Sequence, residues 1–388
     1  MQAVSFFAAL YISRNVWIVN GNKNVQDFPI GTQLFKEEKT MKKNFKAFLA
    51  LMLALVMVFA LAGCGSSDSG DDSADSSAEE DADSGDEEAS AETYVIGICQ
   101  LVQHDALDAA SEGFMDAITD ALGEDSVTFD YQNASGDSAT CATIVSGFVS
   151  EGYDLILANA TAALQAAAAA TTEIPILGTS ITSYAEALSL DEFDGVIGGN
   201  ISGTSDLAPL DQQAEMIQEL FPDAETVGLL YCTAEANSIY QVTVIAEYLA
   251  DLGIETVEYG FADSNDIASV VTAACEEVDV IYIPTDNTAA SCTDTIDAIA
   301  LAAGIPIIAG EEGICSGCGV ATLSISYYDL GYATGEMAVQ ILTGEADISE
   351  MEVGYAAEVT KEYDADRCEA LGIEIPDDYT AIESDDEE

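Results

Sequence analysis

Positive charge is what this sequence has least of. Of 388 residues, 9 are Lys or Arg against 71 Asp and Glu, a formal net charge of -62. Seven of those cations precede residue 47, which leaves Lys361 and Arg367 for everything downstream. A surface of this sign repels phosphate backbones, so nucleic acid is excluded as a partner. Histidine is scarcer still, with His104 alone. A Ser-His-Asp triad therefore has a single general base to draw on, and no nucleophile motif stands beside it. Gly-x-Ser-x-Gly, a P-loop Lys, His-x-x-x-His and a Gly-x-Gly-x-x-Gly after a strand are all missing. No enzyme activity, cofactor or resident metal is read from the chain.

Apolar residues are plentiful at 49%, enough for large cores. One uncharged apolar run, residues 47–63, follows the basic head Met41-Lys42-Lys43 and ends in Leu61-Ala62-Gly63-Cys64. Basic head, apolar core and small terminal residues are the parts of a secretory signal peptide, here residues 41–63. The run also approaches the length of an uncleaved anchor. A cysteine directly after Leu-Ala-Gly and before an acidic stretch has no role in a simple anchor, however. The ending resembles a bacterial lipobox, which implies that Cys64 becomes the acylated first residue of a lipoprotein held on the outer face of the cytoplasmic membrane. Residues 1–40 lie upstream of a complete signal and lack an apolar period. They read as an upstream extension, with translation starting at Met41, which the mass of the unprocessed precursor would show. Residues 64–92 are almost wholly Ser, Asp, Glu, Ala and Gly after Cys64, a composition that cannot offset its ordering entropy and suits an extended tether. Residues 381–388 form an acidic tail.

An exported chain permits disulfides. Cys315-Ser-Gly-Cys318 is the local pair close enough to suggest one, and zinc is the rival reading of that spacing. No second pair accompanies it.

From Tyr94 onward short β-rich runs alternate with helical stretches, the rhythm of parallel sheets covered on both faces. Strands are expected near 94–99, 127–131, 154–158, 174–178 and 196–200, then a Gly/Ser-rich crossing at 202–205. The rhythm restarts with strands near 226–231, 255–259, 278–283, 305–309 and 319–324. Helices lie between them, including one at 288–303 and a last long one at 328–342. The pattern is α/β, two open parallel-sheet units in tandem.

Ligands of open parallel sheets bind outside the carboxyl ends of strands. The loops there contain Gln100, His104, Thr161, Thr179, Ser180, Asn237, Asp286, Asn287 and Glu311, with Asp206 at the crossing. Hydroxyls and free N–H groups at helix starts can hold a carboxylate. Asp206, Asp286 or Glu311 can hold an ammonium. The combination suits a zwitterion such as an amino acid. Thr161, Thr179, Asn287 and Asp286 equally suit helix capping, and His104 suits a structural loop position.

Several stretches are similar to a known family. They include Ile96-Gly-Ile, Gln100, His104-x-Ala106-Leu107-Asp108, Gly113-Phe114 and Asp130-Tyr131-Gln132-Asn133-Ala134. Ser205-Asp206-Leu207, Glu235-Ala-Asn237-Ser238, Ile283-Pro-Thr-Asp-Asn-Thr288, Ala309-Gly-Glu311 and Tyr327-Tyr-Asp-Leu-Gly331 continue the series. Together they resemble the tryptophan/tyrosine-type substrate-binding proteins of ABC transporters. The resemblance implies a type I periplasmic-binding-protein fold, with two Rossmann-like lobes and a three-crossing hinge. It places residues 94–203 and 325–349 in one lobe, 204–324 and 350–380 in the other. It implies that the carboxylate meets Thr161 and Thr179 or Ser180, and the ammonium Asp206, Asp286 or Glu311. Asn237 and Asn287 complete the shell, Gln100 and His104 belong to the matching opening, and the Cys315–Cys318 pair departs from the family. The implied partners are an amino-acid-like solute, permease and ATPase subunits and, through the lipid, the membrane, for a monomer without enzymatic activity. A sensory ectodomain serving a membrane receptor is the alternative.

Overall fold

The computed structural model describes residues 93–356 and 358–382. The upstream extension, signal peptide, Cys64, the tether to residue 92 and positions 383–388 of the tail lie outside the described residues. Among those described, no helix is long and apolar enough to cross a membrane.

The first sheet comprises β1 (Tyr94–Gln100), β2 (Val127–Asn133), β3 (Leu155–Asn159), β4 (Ile176–Thr179), β5 (Ile201–Ser205) and β11 (Gly354–Tyr355). Their order is β11-β5-β4-β3-β1-β2, and every pair is parallel. Central β3 reads Leu-Ile-Leu-Ala-Asn with every residue buried, as a strand covered on both faces must be. Helices α1 (Asp105–Leu122), α2 (Ser138–Glu151), α3 (Thr161–Ala170) and α4 (Tyr184–Leu188) link these strands. The polar side chains at helix starts set the boundaries: Asp137 accepts the Thr140 N–H at 2.6 Å to begin α2, and Gly152 ends it at φ 73°.

The second sheet comprises β6 (Thr226–Cys232), β7 (Glu255–Phe261), β8 (Val280–Ile283), β9 (Ile307–Ala309), β10 (Ala321–Ser324), β12 (Thr360–Tyr363) and β13 (Thr380–Ala381). Its order is β13-β12-β10-β9-β8-β6-β7, parallel except where β12 runs against β10. Helices α5 (Leu210–Leu220), α6 (Ala236–Asp251), α7 (Ile267–Cys275), α8 (Asn287–Ala290), α9 (Thr293–Ala303) and α10 (Glu312–Cys318) belong with it. After β10 the chain returns to the first lobe as α11 (Tyr327–Leu342), which packs along α1. It ends in the second lobe with α12 (Ala365–Leu371) between β12 and β13. Crossings therefore follow β5 and β10 and separate β11 from β12. Sheet membership runs a few residues past the expected 203/204 and 349/350 boundaries, since β5 reaches Ser205 and β11 pairs with it. In both sheets the second strand lies outside the first, so the order reverses beside β1 and beside β6, the position where such sheets bind ligands.

Three expectations are corrected. The strand expected at 196–200 is instead β5, within the stretch read as a crossing. Gly198 and Gly199, at φ 81° and 65°, turn the chain first, and the polar sequence Ile-Ser-Gly-Thr-Ser then fills a buried strand. The helix expected at 288–303 is broken into α8 and α9. Cys315 and Cys318 are free thiols, not a bridge. They sit one turn apart on α10, where the Cys318 thiol donates to the Ile314 carbonyl at 3.3 Å.

Arg367 joins several segments of the second lobe. Its guanidinium donates to Asp297 at 2.7 Å, to Asp364 at 2.6 Å and to the Ser316 and Gly317 carbonyls at 2.7 Å. It thereby satisfies the C-terminal carbonyls of α10 that lack helical partners. Removing one partner of a largely buried network leaves the others unpaired. Arg367→Ala is expected to lower unfolding free energy by about 2–3 kcal/mol, read as a lower denaturant midpoint with unchanged slope.

Candidate functional site

The carboxyl strand ends of both sheets meet at one crevice. The first lobe lines its inner chamber with His104, Leu107, Ser180, Thr182 and Tyr327. The second contributes Asn237, Thr285, Asp286, Asn287, Ala290, Glu311 and Ile314, and Asp206 stands at the first crossing. The empty space is about 290 Å³. The walls thus close on a narrow, polar space with no Lys or Arg in its lining.

Three buried carboxylates reach this chamber, and their hydrogen bonds separate their roles. Asp286 accepts the Cys232 N–H at 2.6 Å and the Ala289 N–H at 2.8 Å, so both oxygens serve backbone and one caps α8. Glu311 accepts the Gly313 N–H at 2.7 Å and the Ile314 N–H at 2.5 Å, capping α10. Asp206 is different. Its Oδ2 accepts the Tyr327 hydroxyl at 3.0 Å, while its buried Oδ1 has no partner. Burial raises the Asp206 carboxyl to about 6 despite the Tyr327 and Thr182 hydroxyls. Burial, with the Glu235 charge adding to it, raises Asp286 to about 7 against the pull of its backbone donors. Glu311 is raised to about 7, again chiefly by burial.

Ser180 offers a complementary group. It follows β4 with φ 57°, and its buried Oγ has no hydrogen-bond partner. Ala160 after β3 also has positive φ, at 85°. Non-glycine residues held there store strain, and such strain gathers at binding and catalytic sites.

Two side-chain hydrogen bonds span the crevice. His104 Nε2 lies 3.3 Å from Asn287 Oδ1, and the hydroxyls of Thr182 and Thr285 are 3.3 Å apart. Burial holds the imidazole below its usual pKa, so neutral His104 donates through Nε2–H. Asn287 is fixed for this role because its Nδ2 donates to Glu235 Oε2 at 2.7 Å, turning Oδ1 toward the histidine.

Of the candidates from sequence, seven line the chamber: His104, Ser180, Asp206, Asn237, Asp286, Asn287 and Glu311. Three do not. Gln100 is wholly buried, donating to Asp108 at 2.6 Å and accepting from Ser111 at 2.7 Å to fasten β1 to α1. Thr179 meets Thr204 at 3.3 Å beneath the chamber floor. Thr161 opens α3 with a buried, unpartnered Oγ1, outside the chamber. Among the described residues no group of His, Cys, Asp and Glu is placed to hold a metal ion.

Residues 95–382 match the family described as ABC transporter substrate binding protein. The chain belongs to that family. A curated relative, the tyrosine-binding protein of Clostridioides difficile (strain R20291), is 39% identical over 253 residues, covering 65% of this chain and 73% of the relative. Among solved structures, an ABC domain in complex with L-Trp from Streptococcus pneumoniae shares 33% identity at TM-score 0.70, covering 74% of this chain and 96% of that one. The ligand-free, open structure of a substrate binding protein with adhesive properties from Clostridium difficile shares 37% identity at TM-score 0.59, covering 75% and 100%. A solute binding protein from Bacillus halodurans with bound myo-inositol, 15% identical at TM-score 0.53, shares the fold. The architecture of this substrate-binding protein is thus the type I periplasmic-binding-protein fold.

Sequence reasoning passed over Thr182, Thr285 and Tyr327. Thr285 lies within a strand-end loop, between Pro284 and Asp286, and its distinguishing feature is the partner it meets across the crevice. Thr182 extends the loop after β4 two residues beyond Ser180. Tyr327 begins α11 three residues after β10, at the second crossing, a strand end that supplied none of the sequence candidates.

Proposed function

We propose that this substrate-binding protein captures a small zwitterionic solute, an amino acid with an aromatic side chain, by closing its lobes on it. Unpartnered Asp206 Oδ1, buried in a chamber without cations, carries the reading. A buried carboxylate oxygen without a donor has strong need of one, and an ammonium supplies donor and charge together. Ser180 Oγ is the hydroxyl that meets the solute carboxylate. Asp286 and Glu311 hold helices in place around it. The tyrosine- and tryptophan-binding relatives support an aromatic side chain.

Lobe closure is supported by likeness: the TM-score is 0.70 with the tryptophan complex but 0.59 with the open relative, although the latter is more identical. A solute touching both lobes favours the closed form by its differential affinity. The closed lipoprotein, outside the cytoplasm, then presents its cargo to a permease and ATPase of an importer, with no covalent chemistry. Titrating the purified full chain with each amino acid in a thermal-shift assay tests this. The true solute should raise unfolding free energy by about 2.7 kcal/mol at one hundred times its dissociation constant. A flat response to every amino acid would overturn the reading.

A further inference from the structure

The inner chamber does not end blindly. It shares Asn287 with a second chamber whose empty space is about 780 Å³, on the side of the crevice toward β2 and β7. On the opposite side it shares Glu311 and Tyr327 with another space of about 780 Å³. We propose that the solute's side chain passes the His104–Asn287 pair and lies in the first of these, which therefore selects among amino acids. The inference rests on the zwitterion reading, which places the head group at Asp206 and Ser180.

Size is the first reason. As it stands the inner chamber has room for about one water molecule, so the lobes must part even for the head group, and an aromatic ring needs the larger adjoining space. Chemistry chooses the direction. The space beyond Glu311 has Ala106, Ala109, Tyr328 and Ile382 in its wall, but Asp105 and Glu312 join Glu311 there, three carboxylates that suit a cationic side chain better than an apolar ring. The space beyond Asn287 is walled by Leu101, Val102, Ala162, Ala234 and Ala262. Of its two carboxylates, Glu235 is engaged inward. Oε2 accepts the Asn287 N–H at 3.1 Å and Nδ2 at 2.7 Å, and Oε1 accepts the Thr288 N–H at 2.9 Å and hydroxyl at 2.7 Å. What remains open to a solute is apolar wall with serine hydroxyls and the exposed Asp263 carboxylate, whose Oδ1 accepts the Asn265 N–H at 2.8 Å and Nδ2 at 2.9 Å, a lining for a large ring with one polar atom. His104 and Asn287 are joined by one 3.3 Å contact between lobes, and that contact must open for the side chain to pass.

The test is a calorimetric titration of the full chain and of two filling variants, Ala234→Leu and Ala162→Leu, with L-alanine, L-tryptophan and L-arginine. Ala234 is exposed, so its leucine projects into the chamber without entering a core; half-buried Ala162 borders the first lobe's core, and its variant is titrated after its melting temperature is matched to that of the unaltered chain. Each variant is expected to lower the ratio of tryptophan to alanine affinity at least ten-fold. A mere entrance alters rates of entry, not this equilibrium ratio. An unchanged ratio in both variants overturns the inference while leaving the zwitterion reading standing. Arginine as the tightest of the three, indifferent to both leucines, overturns it in favour of the Asp105–Glu312 side. Failure of the unaltered chain to bind any of the three overturns the head-group assignment itself, before any variant is compared.

Discussion

Asp206→Asn is expected to abolish amino-acid binding and leave the fold intact. The variant keeps the shape of the side chain and an oxygen for the Tyr327 hydroxyl, now 3.0 Å from Oδ2. It removes the charge that an ammonium would answer. Losing one member of a desolvated ion pair costs about 3–5 kcal/mol, which weakens the dissociation constant from a few hundred-fold to a few thousand-fold. Stability of the solute-free protein should be equal or higher, because a carboxylate raised by burial is one whose ionised form the folded state disfavours. Binding within ten-fold of the unaltered protein would sink the assignment.

Acid should act in opposite directions on the free and bound protein. Asp206 at about 6, and Asp286 and Glu311 at about 7, lie above the usual carboxylate range. Between pH 4 and 7, roughly, the native state therefore holds more protons than the unfolded one, and stability falls as pH rises. The contribution of these groups is fully present below about pH 4 and lost by about pH 7. Ammonium capture needs Asp206 ionised, so affinity should be about ten-fold weaker at pH 5 than at pH 8. Melting curves with and without solute, taken across this range, should converge toward acid. Parallel curves would contradict a carboxylate as the ammonium partner.

Much of this is legible in the sequence. Alternating apolar strands and helices identify parallel α/β sheets, because buried strands such as Leu155–Asn159 tolerate little else. Strand-end loops locate the crevice for a topological reason, so seven of ten candidates fall in its inner chamber. Sequence could not divide the three carboxylates, since Asp206, Asp286 and Glu311 differ only in which backbone N–H groups the folded chain turns toward them. Gln100 reads as a ligand until Ser111 and Asp108 are seen to engage it. β5 was hidden because Ser202 and Thr204 are buried polar residues, satisfied by Met351 carbonyl and Thr334 hydroxyl contacts far along the chain. Local propensity carries no trace of such partners.

The glycines in α1 and α11 carry the same lesson into energetics. Gly113 and Gly331 stand out in sequence as parts of a resemblance, and the structure gives their physical reason. A Cβ on Gly331 would lie 2.0 Å from the Ala110 carbonyl oxygen, and one on Gly113 2.1 Å from that of Tyr328. Both obstacles are backbone, so relief requires the two helices to part. Gly331→Ala is expected to destabilise by about 3 kcal/mol, lowering Tm by roughly 6–12 °C for a domain of this size. Gly147 makes the control: it sits in α2, exposed, with nothing within 4 Å of an added Cβ. There the same substitution should stabilise by about 0.5–1 kcal/mol, because alanine loses less backbone entropy in a helix. Opposite signs at two helical glycines separate crowding from propensity, and equal small gains would refute the close approach of α1 and α11. The crowding reaches function too. His104 leads into α1 and Tyr327 begins α11, so helices forced apart at Gly331 would draw Tyr327 from Asp206 and weaken solute binding beyond what lost stability explains.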